Sequence, residues 1–175
     1  MNLANRITLV RIAMIPCYLA LKAWGTPGMD IVATIVFIVA ALSDTLDGYI
    51  ARSRGQVTNF GKFMDPIADK LLVMMALVLL VAQQRANVWA VLLILARELI
   101  ISGFRLVAAS DGRVIAAAML GKIKTVTQLA AVALLTLGVP VLQEIVLWIA
   151  VVFTLWSGWD YLVKNAYVLK EAKKP

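Results

Sequence analysis

Asp44-Thr45-Leu46-Asp47-Gly48-Tyr49-Ile50-Ala51-Arg52, then eight residues, then Gly61-Lys62-Phe63-Met64-Asp65-Pro66-Ile67-Ala68-Asp69, is the stretch on which the reading of this chain turns. It holds four carboxylates in two pairs, each embedded in a long apolar run. Spacings of three and four place each pair on one face of a helix. The connection between the runs, Ser53 to Phe60, is short, so the two helices are expected to be antiparallel neighbours. Both pairs then lie at one depth, roughly 5–15 Å in from the helix ends at 1.5 Å per residue.

Composition says what surrounds them. Of 175 residues, 62% are apolar and 15% charged, with a mean hydropathy of +0.89. A water-soluble domain is nearer 45–50% apolar and about 25% charged. The excess is expected to face lipid, which excludes an ordinary soluble helical bundle. Cys17 is the single cysteine and histidine is absent, so neither an intrachain disulfide nor a zinc site is available. Without histidine, proton transfer near neutral pH falls to carboxylate, lysine or tyrosine.

A membrane-crossing helix needs about 20 mostly apolar residues. Six such runs are expected: Ile7–Ala23, Met29–Arg52, Gly61–Val81, Asn87–Ala108, Leu120–Leu137 and Val141–Tyr161. Gly25-Thr26-Pro27-Gly28, Gly55, Gln83-Gln84-Arg85, Asp111-Gly112 and Gly138-Val139-Pro140 separate them. Residues 1–6 read as a short polar lead-in along the membrane surface, with no cleavage pattern after the first run. The expectation is an all-α membrane protein, a single domain over residues 1–175. Thirteen of the 17 Lys and Arg residues fall on the side of the termini, and only Lys22 and Arg85 lie on the other. That bias places both termini and the aspartates on the cytoplasmic side.

Charge inside a span is costly, and four carboxylates in a confined cleft repel one another. Hard divalent cations with oxygen ligands are the natural compensation, Mg²⁺ or Mn²⁺ where phosphate is handled. Two such ions suit phosphoryl chemistry. Gly48, Ala51 and Gly61 are small residues that let the two helices, or a ligand, approach closely. Arg52 stands at the cleft mouth as a phosphate ligand.

The quoted residues meet D-x2-D-G-x2-A-R-x8-G-x3-D-x3-D at every fixed position, and the chain thereby resembles the CDP-alcohol phosphotransferases. The resemblance extends over essentially the whole chain and implies a six-helix membrane fold. It also implies transfer of a phosphoryl-bearing group from a CDP-linked donor, here CDP-diacylglycerol, to an alcohol, with release of CMP. It implies that Asp44, Asp47, Asp65 and Asp69 bind two divalent metals and that Asp69 is the base. It places Gly48, Ala51, Arg52, Gly61 and Thr58 around the donor, with Asn5 and Thr8 of Asn5-x2-Thr8-x2-Arg11 closing over the nucleotide. A homodimer is implied as well, and no nucleic acid is expected.

The acceptor is written elsewhere. Arg97 lies deep in the fourth run, beside Glu98 and eight residues before Arg105; Lys122 and Lys124 open the fifth. A buried arginine needs an acidic neighbour or an anionic ligand. Arg97, Arg105, Lys122 and Lys124 form the expected pocket for an acceptor that already carries phosphate. Ala96-Arg97-Glu98-x6-Arg105 and Gly121-Lys122-x-Lys124-Thr125-x2-Gln128 resemble the bacterial branch of the family that makes phosphatidylglycerophosphate. That resemblance implies sn-glycerol 3-phosphate as acceptor and a bacterial inner-membrane location. The alternatives are a sibling enzyme using another phosphorylated acceptor, such as inositol phosphate, and, from a different class, a divalent metal transporter. A transporter would spread its acids through the membrane, whereas here the outer side has only Asp30 and Glu144.

Overall fold

The computed structural model describes the backbone over residues 3–53, 59–110 and 119–166, and side chains over 9–43, 67–68, 70–109 and 119–166. Among the described residues the fold is all-helical, with α1 (Leu3–Ala23), α2 (Pro27–Ser53), α3 (Asn59–Ala82), α4 (Val88–Ser110), α5 (Met119–Leu137) and α6 (Leu142–Lys164).

Local chemistry explains the helix ends. Pro27 begins α2, two residues earlier than the apolar pattern indicates, because its fixed φ suits a first helical position where no N–H is needed. Asn87 caps α4: its side-chain oxygen accepts from the backbone N–H groups of Trp89 (2.9 Å) and Ala90 (3.4 Å). Gly138 stops α5 at φ 72°, and the N–H groups of Gly138 and Val139 both return to the Leu134 carbonyl, at 2.9 and 3.2 Å. Residues 3–6, expected as a separate lead-in, belong to α1. No glycine or proline stands between Leu3 and Pro16 to interrupt the helix.

α1 packs on α2 and α3, α5 on α2, α3 and α6, and α4 on α3 and α6. The shared core includes Tyr18, Phe37, Leu72, Leu80, Ile94, Leu135 and Leu147, with Ala33, Ala40, Ala76 and Ala90 allowing close approach. The outward faces are as apolar as the core. Ile31, Ile35, Ile38 and Leu42 form an exposed stripe on α2, and Val152, Leu155, Trp159 and Val163 form another on α6. Surfaces of this kind suit lipid rather than water. Within the described residues, α5 and α6 are long and apolar enough to cross a membrane, and shorter apolar stretches cover Pro27–Ser43 and Lys70–Ala82. α4 is interrupted in this respect by Arg97, Glu98 and Arg105.

One end of the bundle is tied by a buried ion cluster. Asp30 at the start of α2 meets Lys22 of α1 at 2.5 Å and Arg85 of the α3–α4 turn at 2.8 Å. Both cations also donate to the Thr136 carbonyl at the end of α5, at 2.8 and 3.0 Å. Tyr18 bonds the Thr136 hydroxyl at 2.9 Å, and Gln83 donates to the Lys22 carbonyl at 3.0 Å. Four segments therefore meet around one carboxylate. Gly138 lies in the same place, and a Cβ there would stand 3.1 Å from an Arg85 nitrogen. Asp30→Asn keeps the shape and removes the charge, leaving Lys22 buried without a counter-ion. The expected loss is roughly 3 kcal/mol, read as a lower unfolding temperature in detergent. An unchanged transition would show that the cluster does not hold the bundle.

Candidate active site

α2 carries Asp44, Asp47, Gly48, Ala51 and Arg52, α3 carries Gly61, Asp65 and Asp69, and α1 carries Asn5 and Thr8. α2 and α3 pack on each other, and α1 packs on both. The helices expected to hold donor and metal are therefore mutual neighbours. The side chains of all these residues, and Thr58 altogether, lie outside the described residues. The donor set itself fits a hard divalent cation: four carboxylates, spaced three and four on two packed helices, offer only oxygen. Among the described residues no three Asp, Glu, Cys or His side chains come together.

The described part of the site begins one residue beyond Asp69. Lys70 donates to the hydroxyl of Ser102 on α4, and Ser102 donates to the Glu98 carbonyl at 2.5 Å. Glu98 is buried and is the hub of the region. A single carboxylate oxygen, Oε1, accepts from Arg97 Nη1 at 3.1 Å and from Lys124 Nζ of α5. Arg97 reaches further, donating from Nη2 to Ser157 of α6 at 2.9 Å. Gln128, one turn after Lys124, donates to Thr154 at 2.8 Å. The polar side chains of α3, α4, α5 and α6 thus converge around Glu98. Buried charges persist where they are paired and hydrogen-bonded, and two cations on one carboxylate leave one positive charge that Glu98 does not neutralise.

Of the four basic residues expected to take an anion, the structure brings Arg97 and Lys124 together. Arg105 sits further along α4, its guanidinium carbon 5.2 Å from the centre of the Tyr161 ring. Lys122 is exposed and takes no part in the Glu98 pairing; two residues before Lys124, it points to another side of α5. Several residues of the region were not singled out from sequence. Glu98 was legible only as a neighbour of Arg97, not as the bridge to Lys124. Ser157 and Gly158 carried one weak sign, a small polar pair inside an otherwise apolar run. Lys70 bonding to α4 had none.

Gly158 has a specific reason to be glycine. A Cβ there would stand 3.0 Å from Arg97 Cγ and 3.1 Å from Nε. The arginine stem crosses α6 where no side chain is in the way. Gly158→Ala is expected to displace Arg97 and to cost about 1–3 kcal/mol, measured as lower thermal stability. An accompanying structure would show the Arg97–Ser157 bond broken. Wild-type stability with that bond intact would mean that the stem has room to move.

Comparison with known proteins gives the same assignment for the chain as a whole. The model of the CDP-alcohol phosphatidyltransferase family matches residues 1–156. A CDP-diacylglycerol–glycerol-3-phosphate 3-phosphatidyltransferase of Bacillus subtilis (strain 168) is 46% identical, with 97% of each chain covered. An enzyme of the same name from Rickettsia bellii is 38% identical over 91% of this chain and 93% of its own. A probable phosphatidylglycerophosphate synthase of Mycobacterium tuberculosis is 37% identical over 93% and 81%. With the family's acidic spacing intact on two packed helices and these relatives matched along nearly their full lengths, the chain belongs to the CDP-alcohol phosphatidyltransferase family.

Proposed function

We infer that the chain moves the phosphatidyl group of CDP-diacylglycerol to sn-glycerol 3-phosphate, releasing CMP and forming phosphatidylglycerophosphate. Full-length similarity to enzymes of that name supports the reaction. The observation that carries the acceptor is the convergence of Arg97 and Lys124 on one Glu98 oxygen, in a network that reaches the residue after Asp69. An acceptor with its own phosphate supplies the negative charge this arrangement lacks, whereas a neutral alcohol would not.

In this reading Asp44, Asp47, Asp65 and Asp69 hold two divalent ions, Mg²⁺ or Mn²⁺. Such ions, when bound, supply positive charge to the diphosphate and favour ionisation of the acceptor hydroxyl. Asn5, Thr8, Gly48, Ala51, Arg52, Thr58 and Gly61 surround the donor. Arg97, Lys124 and Arg105 orient the acceptor by its phosphate. The Asp69 carboxylate takes the proton of the acceptor hydroxyl. The freed oxygen bonds to the phosphorus that carries diacylglycerol, and the bond from that phosphorus to the bridging oxygen breaks as CMP leaves. Positioning and electrostatics dominate such transfers.

All six helices cross the membrane in this reading, with both termini and the aspartates on the cytoplasmic side of the bacterial inner membrane, as the distribution of Lys and Arg supports. The active form is a homodimer.

The test is CMP release by purified protein supplied with CDP-diacylglycerol, Mg²⁺ or Mn²⁺ and a panel of acceptors. Release is expected with glycerol 3-phosphate and is expected to stop on chelation. Asp69→Asn should lower kcat by about a hundredfold or more, with less effect on nucleotide binding. Metal-independent release, or a wild-type rate in the variant, would contradict the assignment. Release with inositol phosphate in place of glycerol 3-phosphate would overturn the acceptor.

A further inference from the structure

Two buried polar atoms between α4 and α6 have no hydrogen-bond partner among the described residues: the Tyr161 hydroxyl and Arg97 Nε. Tyr161 is 5% exposed. Its ring is held on two sides, edge-on to Phe104 with centroids 5.8 Å apart, and beneath the Arg105 guanidinium. Phe104 and Arg105 are both on α4. Ser157, one turn before Tyr161 on α6, receives Arg97. The phenol is thus fixed beneath Arg105, one turn along α6 from the serine that holds Arg97, with its oxygen unsatisfied.

A buried hydroxyl without a partner is a standing cost that phenylalanine at this position would avoid. The ring's packing accounts for an aromatic side chain here but not for the oxygen. Arginine has donors only, so neither neighbour can accept from the phenol. A ligand that joins this group must accept hydrogen bonds from all three side chains, which is the chemistry of a phosphate oxygen.

We propose that the Tyr161 hydroxyl donates to the phosphate of the acceptor substrate, between Arg97 and Arg105, and is a binding residue of the acceptor site. This rests on the acceptor reading given above.

Tyr161→Phe tests it, because only the oxygen is removed and the contacts with Phe104 and Arg105 stay. KM for glycerol 3-phosphate is expected to rise about tenfold, with KM for CDP-diacylglycerol unchanged. Competitive inhibition by inorganic phosphate should weaken by the same factor. Without substrate the variant should unfold at or above the wild-type temperature, since an unsatisfied hydroxyl is lost. The rise in unfolding temperature produced by glycerol 3-phosphate should shrink. An unchanged KM for glycerol 3-phosphate, or a raised KM with unaltered phosphate inhibition, would overturn the proposal. A substrate-free loss of stability would overturn it too, by showing that the hydroxyl is structural. In each of these outcomes the wild-type protein still turns over glycerol 3-phosphate. A wild-type protein that does not would instead overturn the acceptor reading, and this proposal with it.

Discussion

A charged side chain drawn into an apolar helical bundle must find its counterpart there, because neither lipid nor core will solvate it. In this chain that requirement organises the packing. Glu98 is the point of convergence, with one carboxylate oxygen accepting from Arg97 on its own helix and from Lys124 on α5. Arg97 extends the connection to Ser157 on α6, and Lys70 of α3 reaches α4 through Ser102. The relative placement of four helices is fixed by directional polar contacts as well as by side-chain packing. Gly158 is the steric counterpart, clearing the path of the arginine stem.

Among the described residues, the Asp30 and Glu98 clusters each set two cations on one carboxylate, and they differ in what surrounds them. Around Asp30, Lys22 and Arg85 also spend donors on the Thr136 carbonyl, and the group closes the junction of α1, α2, α5 and the α3–α4 turn. It has the character of a tie. Around Glu98, Arg97 keeps an unpartnered Nε, and a second unpartnered atom, the Tyr161 hydroxyl, stands nearby. Unused donors beside surplus positive charge are what an anion requires. The region joins α3 one residue after Asp69, so the cations proposed to hold the acceptor's phosphate and the proposed base belong to adjacent parts of one structure.

Much of the fold was legible in the sequence because apolar runs and their breakers are local features. The six helices fall where the runs do, and Gly138 and Asn87 mark ends for reasons visible in a few consecutive residues. The differences are local too: Pro27 starts α2 early, and α1 takes in the polar residues before Ile7 because nothing there interrupts a helix. The acidic signature was legible since fixed spacing on neighbouring helices is itself a sequence property. What escaped was contact across distance. Arg97 and Ser157 are 60 residues apart, and Lys70 and Ser102 are 32 apart. Nothing in one sequence states which small polar residue of α6 will face which cation of α4. Lys122 and Lys124 looked equivalent as basic residues, yet two positions on a helix separate a buried ion-pair partner from an exposed side chain.

The central claim is that the α2 and α3 aspartates hold the metal while the Glu98-centred cations hold the acceptor by its phosphate. A structure with Mn²⁺ and glycerol 3-phosphate bound, the metal located by its anomalous scattering, tests this most directly. The account predicts manganese among Asp44, Asp47, Asp65 and Asp69, and the acceptor phosphate within hydrogen-bonding distance of Arg97 and Lys124. Manganese bound away from those aspartates, or the phosphate seated where neither cation reaches it, would contradict the account.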